Sequence, residues 1–244
     1  MSSSAMVERI RESSPRPRAR ITGVVYLLYF LTAVFSEFIL RGLVVSGDAA
    51  ATVNNLLAHQ PLFQLGLAVS LIATAFYVAL TAFFYDLFKP VNRSLSLLAA
   101  FLSLVGCAIQ AFASLFRIAP LVVLGGNQYL SVFKVEQLRA LALVLLEFYG
   151  QGFAICLVFF GFFELLIGYL IFRSNFLPRI LGVPMALAGL GWLTFLYTPL
   201  ANYLSAYVLA LGFLAELLLM LWLLVKGVNI ERWREQATTE RNWQ

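Results

Sequence analysis

Six times along this chain an apolar run recurs that is too long for the core of a small soluble domain. Drawn at 21–45, 61–87, 95–124, 149–172, 180–198 and 203–225, each run is long enough to cross roughly 30 Å of hydrocarbon at about 1.5 Å per helical residue. In lipid, no water is available for backbone N–H and C=O groups, so a crossing segment must be a helix or part of a closed barrel. The runs lack the period-two alternation of a barrel strand. An all-α, polytopic membrane protein follows, a bundle of six transmembrane helices. The composition agrees: 61% of the 244 residues are hydrophobic and 12% are charged, against about 25% charged in soluble domains.

The net charge of +5 would suggest nucleic acid as a partner of a soluble protein, but its distribution gives another answer. Arg9, Arg11, Arg16, Arg18 and Arg20 precede the first run, Lys89 and Arg93 lie in the second connection, Arg173 and Arg179 in the fourth, and Lys226, Arg232, Arg234 and Arg241 follow the last. Six spans bring these groups to one side, leaving Arg41, Lys134 and Arg139 on the other and Arg117 within a span. By the positive-inside rule both termini are expected in the cytoplasm. Membrane lipids are then the expected surroundings, with no nucleic-acid partner. The expected location is the bacterial inner membrane.

Residues 1–20 combine basic residues with Ser2, Ser3, Ser4, Ser13, Pro15 and Pro17, and read as a flexible cytoplasmic tail. The run at 21–45 exceeds the h-region of a signal peptide and is read as a retained span. A transmembrane domain at 21–226 and a cytoplasmic tail at 227–244 complete the organisation. The stretch "IERWREQ" in that tail suits a helix lying in the headgroup layer. The outer connections are expected at 46–60 and 125–148. A helix from 136 to 172 would be about 55 Å long, so 136–148 is expected either to lie along the interface before a turn at Gly150 and Gly152 or to belong to one long, tilted helix.

Ionisable groups inside a span cost roughly 2.5–3.5 kcal/mol each and usually face a partner or a cavity. Glu164 lies about 21 Å along an inward-running helix counted from Gly150, and Glu216 lies at a similar depth in the last span. Two carboxyl groups at one level can share a proton or bind a cation; a hydroxyl such as that of Tyr26, Tyr29 or Thr194 would serve a purely structural role. Nearer the outer face, Glu37 and Arg41 are four residues apart and can pair along one helix. Ser103, Gly106, Gln110, Ser114 and Arg117 form a stripe of small and polar residues on the third span, and Glu147 and Gln151 enter at the same level. An outward-facing pocket with Arg117 paired to Glu37 or Glu147 is one expectation; its alternative has Arg41 and Arg117 snorkelling to the headgroups. The ligand-binding candidates are thus Glu37, Arg41, Gln110, Arg117, Glu147, Gln151, Glu164 and Glu216.

Catalytic constellations are missing from the sequence. There is no G-x-S-x-G, H-E-x-x-H or Walker motif. The single histidine, His59, excludes a site of several imidazoles, and Cys107 and Cys156 have neither C-x-x-C spacing nor a hydrophilic setting. No cofactor and no metal are expected. Three functions stay open: a small transporter-like or ligand-binding bundle with an interior polar site for a small molecule or ion, a non-catalytic structural or interaction protein, and an intramembrane lipid-modifying enzyme.

The most distinctive text is "FFGFFELLIGYLIFRSNFLPRILGVPMALAGLGWL", supported by "ITGVVYLLYFLTAVFSEFI", "GDAAATVNNLLAHQPLFQLGL" and "YDLFKPVNRSLSLLAAF". Over roughly residues 20–228 the chain resembles the bacterial membrane-protein family catalogued as domain of unknown function 4386. The resemblance implies six or seven spans and brings no reaction, ligand or catalytic residue with it.

Overall fold

A computed structural model describes residues 15–45, 48–126 and 128–241. Among them are eight α-helices and no strand: α1 (Pro15–Gly42), α2 (Ala49–Ala58), α3 (Gln60–Phe88), α4 (Arg93–Leu124), α5 (Val135–Arg173), α6 (Gly182–Leu193), α7 (Thr198–Val225) and α8 (Ile230–Arg241). Six helical stretches are long and apolar enough to cross a membrane: those of α1, α3, α4, α5 and α7, and Arg179–Leu196, in which short 3-10 turns flank α6. The chain is a multi-pass membrane protein. Side chains such as Phe38, Phe112 and Leu31 point outward, as helix surfaces bathed in lipid require. The first fourteen residues, including most of the tail expected at 1–20, lie outside the described residues; Pro15–Arg20 already belong to α1.

The chain forms two compact units. One comprises the residues up to Leu27, Val78–Leu104 and everything from Val158 onward; the other comprises Leu28–Tyr77 and Val105–Leu157. In the first unit, Tyr26 meets Phe84 edge-on with ring centroids 5.7 Å apart, and Phe84 in turn contacts Phe88 and Phe163 at 6.1 Å. Phe88 continues the column to Phe176 at 6.2 Å. Rings of this size bury much apolar surface while their edge-on, stacked and tilted contacts fix mutual orientation. Gly227, at φ 67°, ends α7 in the left-handed conformation that its lack of a Cβ permits, and its N–H returns to the Trp222 carbonyl at 3.0 Å. The chain then enters α8, whose Trp233 indole donates to the Leu87 carbonyl at 3.0 Å.

In the second unit Leu40, Leu43, Leu56, Phe63 and Leu67 form a core, with Ile118, Leu121 and Leu146 packed against it. The ten-residue α2 is too short to span, and it reaches this core through Leu56, with Val53 also buried. Asp48 caps it by accepting the Ala51 N–H at 2.9 Å. Ser36 of α1 donates to the Gly66 carbonyl of α3 at 2.9 Å, a close approach that a side chain at position 66 would obstruct, since its Cβ would lie 2.9 Å from Leu40.

Of the two arrangements open for 136–148, the turn at Gly150 and Gly152 does not occur and the one long helix does. The helix runs unbroken through both for 39 residues, so 136–148 belongs to α5. At about 58 Å it is far longer than the hydrocarbon layer. Both glycines keep their helical hydrogen bonds, which lipid makes costly to break. Gly152 serves packing instead: its Cβ would stand 2.7 Å from that of Ala113 on α4, whereas Gly150 has nothing within 4 Å. The span drawn at 180–198 resolves into α6 and its flanking turns, and Pro184 is accommodated in the first turn of α6, where a missing N–H leaves no intrahelical bond unmade.

Candidate functional site

The first unit holds a carboxyl group at the point where two helix backbones nearly touch. Gly161, Glu164 and Gly168 occupy one face of α5 by their spacing of three and four. A Cβ on Gly161 would lie 2.9 Å from the Gly189 carbonyl, and one on Gly168 would lie 2.7 Å from the Ala186 nitrogen and 2.8 Å from the Gly182 carbonyl. Only glycine admits such closeness. The paired glycines are seven residues apart on both helices and run in opposite directions, so α5 and α6 pack as an antiparallel pair, with Glu164 between the two contacts.

Glu164 is 2% exposed. Its Oε1 accepts the indole N–H of Trp192, at the end of α6, at 3.0 Å. That ring lies over Gly212 of α7, where a Cβ would overlap it. Its other oxygen, Oε2, is buried without a hydrogen-bond partner among the described residues. Glu216 of α7 is half-buried and close enough to interact electrostatically with Glu164. Thr194 is occupied elsewhere, its hydroxyl donating to the Gly191 carbonyl at 2.7 Å. The donor to Glu164 is therefore an indole rather than one of the hydroxyls expected from the sequence. The available signal was a tryptophan one turn beyond a glycine in a helix packed against that of the glutamate.

This arrangement has two acids, one donor and one open acceptor, and suits a ligand that brings positive charge or N–H donors. Among the described residues no three His, Cys, Asp or Glu side chains converge as a chelating set would.

A second polar cluster lies in the other unit. Arg117 of α4 is 7% exposed. Its Nη1 donates to the Tyr149 hydroxyl at 2.7 Å, its guanidinium carbon stands 4.3 Å from the centre of the same ring, and Glu37 Oε2 is 3.6 Å away. The other oxygen of Glu37 takes the Nε of Arg41 at 2.5 Å. One carboxylate thus bridges two guanidinium groups. Glu147 is exposed and makes no ion pair among the described residues; Gln151 is exposed as well. Gln110 is half-buried, and its carbonyl accepts the Ser114 hydroxyl at 2.9 Å, so that serine is bonded within its own helix. Tyr149 completes the cluster in place of Glu147.

Two substitutions at Tyr149 separate the contributions to the Arg117 contact. Tyr149→Phe keeps the ring under the guanidinium but removes the hydroxyl acceptor, and is expected to cost about 1 kcal/mol. Tyr149→Leu also removes the cation–π contact and should cost about 1 kcal/mol more. Chemical denaturation of both variants in the same detergent measures the two steps; equal losses would mean that the ring face contributes nothing.

Residues 21–227 match the profile of a family described as Domain of unknown function (DUF4386). An uncharacterized protein of Archaeoglobus fulgidus is 27% identical over 146 residues, which cover 59% of this chain and 72% of that protein. No solved structure matches.

Proposed function

We propose that this chain, which belongs to the DUF4386 family, is a transporter-like or ligand-binding protein of the bacterial inner membrane that takes a small cation at the interior carboxyl site of Glu164. The open Oε2 of Glu164 carries this reading. A buried polar atom without a partner is costly, and an ionisable group inside a span is by default a candidate for function. A cation would complete the coordination of that oxygen, with the second carboxyl group, Glu216, nearby. With the basic connections inside, the termini face the cytoplasm, and the membrane domain at 21–226 lies between the basic segment 1–20, whose last six residues open α1, and the tail 227–244.

A structural reading has its own support in the glycine contacts between α5 and α6 and in the Trp192 hydrogen bond, which would hold the helices together without any ligand. One experiment separates the two. The purified protein in lipid nanodiscs is titrated with ammonium, methylammonium and tetramethylammonium salts and with sodium and potassium, and its thermal midpoint is followed for the wild type and Glu164→Gln. Glutamine preserves shape and an acceptor for the indole but removes the acid. The expected result is saturable stabilisation of the wild type by one of these cations, about 2.7 kcal/mol at one hundred times its dissociation constant, and no response in the folded variant. Equal responses in both proteins, or none in either, would leave the structural reading standing.

A further inference from the structure

At the end of α7 the first unit contains a cavity of about 600 Å³. One wall is the 175–178 turn that follows α5, and the other is the segment from Trp222 through the Gly227 turn into the first residues of α8. Hydrogen bonds fix these walls to each other: the Asn229 N–H donates to the Phe176 carbonyl at 3.2 Å, Arg232 Nη1 to the Asn175 carbonyl at 3.4 Å, and the Asn175 N–H to Gln236 Oε1 at 3.1 Å. The cavity is thus held open by backbone contacts as well as side chains.

The chemistry of the lining is divided. Lys226, Arg232 and Asn229 supply cationic or amide donors, whereas Phe176, Trp222 and Val228 supply apolar surface. Glu231 is the acid in the lining; it sits in the first turn of α8, where negative charge is favoured by the helix dipole. Two cations face one carboxylate, so the lining favours an anion. Its position narrows the choice. The apolar stretch of α7 ends at Val225, so Lys226 is the first charged group beyond the hydrocarbon, and Trp222 lies one turn earlier, where indoles mark the headgroup level. A soluble phosphate would use the polar rim and leave the apolar wall bare.

We infer that this cavity binds the headgroup of an anionic phospholipid, with the phosphodiester held by Lys226 and Arg232 and the glycerol end against Trp222 and Phe176. The same chemistry would recognise a free phosphate, and the test distinguishes them.

Native mass spectrometry of the full-length protein in detergent, titrated with phosphatidylglycerol or phosphatidylcholine of matched acyl chains, reads one-lipid occupancy directly. Wild type is expected to retain one phosphatidylglycerol in preference to phosphatidylcholine. Each lost cation should weaken retention roughly fivefold, so Lys226→Gln loses about that factor and the Lys226→Gln/Arg232→Gln pair roughly 25-fold. Arg234→Gln, on the same helix but outside the cavity lining, should change it less than about twofold. Lys226 is exposed and its side chain makes no ion pair or hydrogen bond among the described residues, so Lys226→Gln tests the site even if loss of Arg232 loosens α8. Equal retention of the two lipids, equal loss in Arg234→Gln, or no loss in Lys226→Gln would overturn the assignment. Displacement of phosphatidylglycerol by millimolar inorganic phosphate would overturn the lipid as occupant and assign the cavity to a soluble phosphate.

Discussion

Gly189→Ala is expected to destabilise the protein by about 3 kcal/mol, the upper part of the usual range for overpacking. The added Cβ would lie 2.7 Å from both the Gly161 carbonyl and the Leu165 nitrogen. Those are backbone atoms of a hydrogen-bonded helix and have no rotamer to give, so the helices must separate. Separation would also draw Trp192 from Glu164. Gly150→Ala provides the contrast: position 150 has nothing within 4 Å, and alanine in a helix interior gains up to about 1 kcal/mol over glycine. Chemical denaturation of both in one detergent reads the difference. A Gly189→Ala protein as stable as wild type would mean that α5 and α6 are not packed through their backbones.

Trp192→Phe is expected to cost about 2 kcal/mol. The substitution removes the donor to Oε1 and leaves both oxygens of a buried carboxyl group without a partner. If the hydrogen bond is the source of that loss, most of it should disappear once the carboxyl group is gone. In the Glu164→Leu background, Trp192→Phe should therefore cost only the smaller packing loss of the ring. A double-mutant cycle measures the coupling. Coupling near zero would mean that the indole merely fills space beside the glutamate.

The membrane architecture was legible because it depends on lengths and composition, which the chain states openly: α4 begins two residues before the span drawn for it and ends on the same residue, Leu124. α5 was less legible for a reason of chemistry. A glycine pair in a run of 37 residues suggests a turn in water, but in lipid a helix keeps its backbone bonds and uses glycine for close packing. Side-chain partners depended on a quantity that depth alone does not contain, the rotation of each helix about its axis. Glu147 and Tyr149 lie within one turn of each other, yet two residues at 100° each put them on different faces, and only Tyr149 meets Arg117. The Glu37–Arg41 contact was readable because both groups share one helix, where a spacing of four fixes their relation without reference to any neighbour.

The two kinds of contact around Glu164 differ in how they would respond to motion. Where α5 meets α6, main chain rests on main chain, and such a seam behaves as a single stiff member: it transmits displacement but does not itself bend. Where α6 meets α7, side chains take part in the contact: the Trp192 ring lies over Gly212 and the Val208 side chain stands against Gly191. If the helices around the carboxyl group part, the parting would fall between side chains at α7 rather than within that seam. Glu164 and its indole would travel together as a fixed jaw, with Glu216 carried on the moving one.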